Sequence, residues 1–136
     1  MPPEFNFEPL TPTAFLHRAA LVFPDRIGVV DAGVTFTYAA FLDRCLRFAG
    51  ALRDAGVKPG DRVAILAGNS HVMLAANYAI PFAGAVLVPL NTRVSAADMT
   101  YIIGHSGAAV LIYDRDFRAA AEESGAALGG DRKSVV

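Results

Sequence analysis

Cysteine is nearly absent from this 136-residue sequence, and charge of either sign is sparse and balanced. The single cysteine, Cys45, excludes an internal disulfide, and its place in an apolar helical pattern favours a small buried side chain over a catalytic thiol. Lys and Arg total 12 against 13 Asp and Glu, so the formal net charge is -1. This balance argues against nucleic acid or an anionic membrane as a partner, because both require a basic surface.

Long charged segments and a signal peptide are also lacking, which together with the lone thiol favours a reducing, cytoplasmic location. Residues 63–92 contain no Lys, Arg, Asp or Glu, and this uncharged run is longer than the ~20 apolar residues that span a bilayer. Gly68, Asn77 and Pro81 interrupt this run, so a buried strand, a helix and a second strand explain it better than a transmembrane segment. The hydrophobic content of 54% predicts apolar surface that packs against something outside the chain.

Hydrophobic periodicity and capping residues divide the chain into helices and strands. Thr11-Pro12 is typical of a helix start, and Thr37 is positioned to cap a second helix after a hairpin over residues 27–37. Two further helices alternate with three apolar strands, predicted at 62–67, 86–89 and 109–113, before a last helix at 117–128. We therefore predict an α/β fold with a parallel βαβαβ sheet and helices on both faces.

Three loops are expected at the carboxyl ends of these strands, the edge at which such sheets bind ligands. They contain Gly68-Asn69-Ser70, Pro89-Leu90-Asn91-Thr92-Arg93 and Asp114-Arg115. None of them matches the phosphate-binding patterns G-x-G-x-x-G or G-x-x-x-x-G-K-[ST]. Asn69 and Ser70 are interpreted as a helix cap rather than an anion site, and Arg93 as a surface ion pair rather than a ligand of carboxylate or phosphate.

The histidines are too scattered to form a metal site, and no carboxylates accompany them at ligand spacing. We interpret His17, His71 and His105 as structural or solvated side chains. Ser106 lies in Gly104-His105-Ser106-Gly107, which misses the G-x-S-x-G nucleophile spacing by one residue, and is interpreted as a helix-end residue. The sequence therefore assigns no catalytic, cofactor-binding or metal-binding residue.

Three segments form a collinear pattern: Thr35-Phe36-Thr37-Tyr38, residues 56–66 (GVKPGDRVAIL) and residues 81–93 (PFAGAVLVPLNTR). This pattern resembles the opening of the adenylate-forming (AMP-binding) superfamily, which includes acyl-CoA synthetases, luciferases and peptide-synthetase adenylation domains. Asn91-Thr92-Arg93 followed by Ser95 is most similar to the fatty and short-chain acyl-CoA ligase branch. The resemblance implies that the chain is part of the large N-terminal domain of an acyl-CoA synthetase-like fold.

The resemblance also implies an activity for an intact parent protein. Such enzymes activate a carboxylic acid with ATP and Mg²⁺ to an acyl-adenylate and pass the acyl group to a thiol such as CoA. Their phosphate loop, acidic metal residue, ribose-binding Asp and catalytic Lys lie later in the chain and have no counterpart here. We therefore expect these 136 residues to bind none of these cofactors and to be inactive alone. Assembly of the parent protein into a homo-oligomer is a further possibility.

The last six residues, 131–136, have the sequence that a widely used sequencing adapter encodes before a stop codon. We therefore expect a partial AMP-binding domain over residues 1–130 and a non-native tail over 131–136. Two other hypotheses remain: a non-catalytic α/β interaction module with a ligase-like fold, and a small nucleotide-binding sensor supported only by the α/β pattern. The interaction module would need a partner to cover its sheet edge.

Overall fold

The computed structural model describes residues 9–126 and 133–135. The chain divides into two compact units, Met1–Asp43 and Arg44–Val136. The helices and strands are α1 (Pro12–Val22), β1 (Ile27–Asp31), β2 (Val34–Thr37), α2 (Tyr38–Asp54), β3 (Arg62–Leu66), α3 (His71–Phe82), β4 (Val86–Pro89), α4 (Ala96–Ser106), β5 (Val110–Tyr113), a 3₁₀ turn (Arg115–Phe117), α5 (Arg118–Ala126) and β6 (Lys133–Val135). The elements expected from the sequence are present near their predicted positions, and β6 is an addition.

The first unit contains α1, the β1–β2 hairpin and the start of α2. Thr11 caps α1 as predicted, because its Oγ1 accepts a hydrogen bond of 3.2 Å from the Ala14 N–H. Thr37 caps α2 in the same way through the Ala40 N–H, also at 3.2 Å. The two strands between these helices pair antiparallel, as the predicted hairpin requires.

Apolar side chains are unusually exposed in this first unit. Twelve large hydrophobic residues are exposed in the described part of the chain, and eight of them precede residue 44. Leu10 is 85% exposed and Leu21 is 82% exposed, although both are aliphatic. Because contiguous apolar surface is costly in water, this exposure agrees with the expectation that the unit packs against something outside the chain.

The second unit is built on a parallel sheet with the strand order β4-β3-β5-β6. In the central strand β3, Val63 and Ile65 pack on one face of the sheet with residues of α2 and α3. Ala64 and Leu66 pack on the other face with residues of α4 and α5. Because successive side chains of a strand alternate between faces, a segment buried on both sides must be apolar throughout, as residues 63–66 of β3 are. The predicted α/β fold with helices on both faces of a parallel sheet is confirmed.

Residues 86–89 form a strand as predicted, but the expectation that this strand is buried is wrong. Val86 is 51% exposed, and Leu87 and Val88 are only partly buried. Among the described strands, β4 has β3 as its single neighbour and lies at the edge of the sheet. An apolar sequence cannot distinguish a central strand from an edge strand, because both carry the same side chains.

One backbone turn and the side chain of Arg62 hold the amino end of β3 in place. Gly60 has a φ of +84°, which suits the third position of a turn over residues 58–61, and the Asp61 N–H donates to the Lys58 carbonyl at 3.0 Å. The Arg62 guanidinium donates to the carbonyls of Ser106 at 2.8 Å and Gly107 at 3.0 Å, at the carboxyl end of α4. A cation that satisfies carbonyls at a helix C-terminus stabilises that end of the helix.

Strand β6 lies within the segment that the sequence suggested to be a non-native tail. Lys133–Val135 pairs in parallel with β5, whereas residues 127–132 and 136 lie outside the described residues. Strand pairing does not reveal the origin of the encoding DNA. The adapter origin of residues 131–136, and the boundary at 130, therefore stay predictions that the nucleotide sequence can test.

Among the described residues, no helix combines the length and apolar content needed to cross a bilayer.

Candidate functional site

An open cavity of about 660 Å³ lies at the carboxyl ends of β3 and β4. Its lining combines the loop after β3, one face of α3 and the loop after β4: Ala67, Gly68, Asn69, Met73, Asn77, Pro89, Leu90, Asn91, Thr92 and Arg93. Two of the three loops expected at this edge therefore meet around one cavity. Asp114-Arg115, the third loop, is not among the lining residues.

Arg93 is the one cationic side chain in the cavity lining, which contains no carboxylate. Its side chain is exposed, and no salt bridge to it is found within residues 9–126. The interpretation of Arg93 as a surface ion pair is therefore not supported in the described part of the chain. An unneutralised guanidinium among amides and backbone groups can attract a carboxylate or phosphate.

The loop that carries Arg93 is held by three hydrogen bonds. Leu90 extends the sheet pairing, because its N–H donates to the Ile65 carbonyl at 2.8 Å. Oδ1 of Asn91 accepts a 2.9 Å hydrogen bond from the Arg93 N–H, and the Val94 N–H donates to the Asn91 carbonyl at 3.4 Å. Asn at the first position of such a turn stabilises it by accepting from the backbone two residues later.

Ser70 has the structural role expected from the sequence. Its Oγ accepts a hydrogen bond of 3.4 Å from the Met73 N–H and caps α3. Asn69, its neighbour, is exposed and lines the cavity. Asn77, which was not predicted to belong to a site, also lines the cavity, and its Nδ2 donates to the Met73 carbonyl at 2.9 Å. Residues four apart on a helix share one face, so spacing places Met73 and Asn77 together, whereas only packing decides that this face meets the loops.

The three histidines lie on three different helices, α1, α3 and α4. His105 stacks on Tyr101 with ring centroids 5.5 Å apart. No group of three His, Cys, Asp or Glu among the described residues could hold a metal ion. Ser106 donates from its Oγ to the Ile103 carbonyl at 3.1 Å at the end of α4, as a helix-end residue does.

Cys45 is fully buried on α2, in agreement with its interpretation as a small core side chain. Burial raises the pKa of its thiol to about 11, because removal from water disfavours the thiolate, while the charge of Arg44 partly opposes the rise. The thiolate is the nucleophilic form, and a thiol with this pKa is almost entirely protonated near neutral pH.

We expect Cys45 to resist modification in the native protein. At pH 8 a pKa of about 11 leaves about one thiol in a thousand ionised, roughly a hundredfold less than at the ordinary value, and burial restricts access further. A colour-forming disulfide reagent should therefore react at least about a hundredfold faster after addition of urea. Equal rates with and without urea would contradict the buried position.

The sequence matches the family described as AMP-binding enzyme over residues 16–135. An acetate/butyrate–CoA ligase of Arabidopsis thaliana, named as peroxisomal, is 40% identical over 119 residues, which are 88% of this chain and 21% of that protein. An acetate–CoA ligase of Humulus lupulus is 37% identical over 129 residues, 95% of this chain and 23% of that protein. This chain thus spans about a fifth of the length of the curated relatives it matches.

Two solved structures share the fold. A benzoate CoA ligase from Burkholderia xenovorans superimposes with a TM-score of 0.83 at 25% identity, over 90% of this chain and 24% of that chain. The o-succinylbenzoate CoA synthetase of Bacillus subtilis, in complex with an acyl-adenylate intermediate, superimposes with a TM-score of 0.78 at 27% identity, over 90% of this chain and 30% of that chain. The predicted resemblance to the N-terminal domain of acyl-CoA synthetase-like enzymes is confirmed. Because relatives such as the Arabidopsis ligase are named as peroxisomal, the cytoplasmic location stays a prediction.

Proposed function

Because this chain belongs to the AMP-binding enzyme family, we propose that it is the amino-terminal part of an ATP-dependent ligase that joins a carboxylic acid to CoA. In the intact protein the acid and ATP form an acyl-adenylate and pyrophosphate, and the CoA thiol then displaces AMP to give the thioester. The observation that carries the proposal is the 37–40% identity to proteins named as acid–CoA ligases across most of the chain.

The proposed acid is small, such as a short-chain fatty acid. Support comes from the names of the similar proteins, in which acetate and butyrate recur and benzoate also occurs. The second step needs CoA as the thiol acceptor, and the names of these relatives support CoA over a carrier protein. Cytoplasmic location and a role in fatty acid metabolism complete the proposal.

We assign the cavity at the ends of β3 and β4 to an anionic group of one of these three substrates. Its charge supports this assignment, since Arg93 is the single ionic side chain in the lining. Its position supports it as well, because α/β sheets bind ligands beyond the carboxyl ends of their strands. The acid, ATP and CoA are all anionic, and kinetics can distinguish which of them responds to Arg93.

The complete protein that contains this sequence should form acyl-CoA from at least one of acetate, butyrate and benzoate, with ATP, Mg²⁺ and CoA. Replacing Arg93 with Ala should raise the KM of one anionic substrate by about tenfold, the effect of losing one charge-assisted hydrogen bond, and Lys should recover part of the loss. Steady-state kinetics with each substrate varied in turn provide the measurement.

Lys58→Ala is the matched control, because it also removes one positive charge but lies before β3, at the opposite end of the strand from the cavity. Its KM values should stay within about twofold of the unmodified protein. Absence of acyl-CoA formation with a broad panel of acids would contradict the ligase assignment. A normal KM for every substrate in Arg93→Ala would contradict the assignment of the cavity to an anionic group, but it would leave the ligase assignment intact.

A further inference from the structure

The amide of Asn91 is oriented by the backbone of its own loop. The Arg93 N–H can only donate, so the atom of Asn91 that meets it at 2.9 Å must be the amide oxygen. The NH₂ group then lies on the other side of the amide. No hydrogen bond from this NH₂ group is found within the described residues.

This orientation places donors of two kinds beside one cavity. Asn91 and Arg93 both line it, and both side chains are exposed. The hydrogen bond of 2.9 Å from the Arg93 N–H to Oδ1 of Asn91 restrains the Arg93 backbone, and it also fixes the orientation of the Asn91 amide. A preorganised pair of donors binds an anion more tightly than a mobile arginine, because less conformational entropy is lost on binding.

We propose that Asn91 is a positioning residue for Arg93, holding the guanidinium at the cavity and adding its own NH₂ group as a second donor to the same anionic group. This inference rests on the proposed function, since the anion belongs to one of the substrates of the ligase. Asn91 acts through Arg93, so the two residues must affect the same substrate, and the effect of Asn91 must depend on Arg93.

The test is a double-mutant cycle in the complete protein, with ATP, CoA and the acid each varied. Asn91→Ala should raise the KM of the substrate that responds to Arg93→Ala by about tenfold, the factor for one lost hydrogen bond of ordinary strength, with kcat changed less than about threefold. In the Arg93→Ala background the same change should have a smaller effect, about threefold, because the group being positioned is gone and only the direct contact of the Asn91 NH₂ group with the anion remains to be lost.

Two further variants separate the turn from the charge. Asn91→Ser can rebuild a weaker form of the turn through its hydroxyl and should recover part of the lost affinity. Asn91→Asp keeps the acceptor but places a negative charge beside Arg93, so its KM should exceed that of Asn91→Ala. The structural control is Ser95→Ala, which removes the cap of α4 but lies outside the cavity lining, and its KM values should stay unchanged.

An additive effect of Asn91→Ala and Arg93→Ala would overturn the proposal, as would an effect on a different substrate or an equal KM increase in Ser95→Ala. If the complete protein forms no acyl-CoA at all, the ligase assignment fails. Isothermal titration calorimetry with CoA and ATP as probes then tests the positioning role by itself. Coupled losses of affinity in the two variants would support it, whereas no binding, or binding that neither substitution alters, would overturn it.

Discussion

Purified residues 1–136 will catalyse no ATP–pyrophosphate exchange above background. The chain spans about a fifth of the length of its ligase relatives, and its candidate cavity contains a single cationic side chain. One cation cannot balance the charge on the phosphate groups of ATP, and fixed charges of this kind supply much of the acceleration in such reactions. Loss of the whole catalytic effect, typically about 10⁶-fold or more, is therefore expected.

The measurement is exchange of labelled pyrophosphate into ATP in the presence of acetate, butyrate or benzoate. The complete protein, assayed at the same molar concentration, is the matched control and should be active. Acid-dependent exchange by residues 1–136 would contradict this prediction, and would mean that the reactive groups lie within the printed sequence.

Size-exclusion chromatography of the same sample distinguishes a partial enzyme from an independent interaction module. Eight exposed hydrophobic residues in the first unit and the edge position of β4 favour association or aggregation when nothing covers them. A defined monomer or dimer with cooperative unfolding would favour the interaction module. The oligomeric state of the complete protein stays a prediction that the same column can test.

Leu66→Ala will destabilise the fold by about 3 kcal/mol, which is typical of a leucine lost from a closely packed core. Leu66 is fully buried in the central strand β3, in the cluster that α4 and α5 cover. It also ends β3 directly before Ala67, the first residue of the cavity lining, so loss of packing here also loosens support for the loop that follows.

Leu46→Ala is the control, because it removes the same atoms from a side chain that is 42% exposed on α2. We expect it to cost less than about 1 kcal/mol, since an exposed side chain loses little burial and leaves no cavity. Urea unfolding of the complete protein, compared for the two variants, provides the measurement. Similar midpoints for both variants would contradict the central position of Leu66 in the core.

The candidate site was only partly predictable. The loops that contain Asn69 and Arg93 were expected at the binding edge, because two apolar strands had to end there. Their meeting around one cavity depends on the register of β3 against β4, which composition does not specify. The contribution of Asn77 depends in addition on which side of α3 faces these loops, and this was decided only by packing.

The sequence by itself determined the order and type of the elements from α1 to α5. Residues that carry the required local chemistry occur at each end, such as Thr11 and Ser95 at helix starts and Gly107 at a helix end. The uniformly apolar residues 63–66 of β3 required a sheet covered on both faces, because neighbouring side chains of a strand point in opposite directions. These features follow from short-range sterics and from the exclusion of apolar groups from water.

Only the tertiary structure decided which strand lies at an edge and which loops share a cavity. β4 is as apolar as β3, yet Val86 is half exposed because no described strand lies beyond it. Lys133–Val135 is short and contains a single apolar residue, Val135, which is too little hydrophobic pattern to predict a strand, and β6 forms through backbone pairing with β5. Such features depend on contacts between segments that are distant in sequence, and local sequence patterns do not specify which of these segments come into contact.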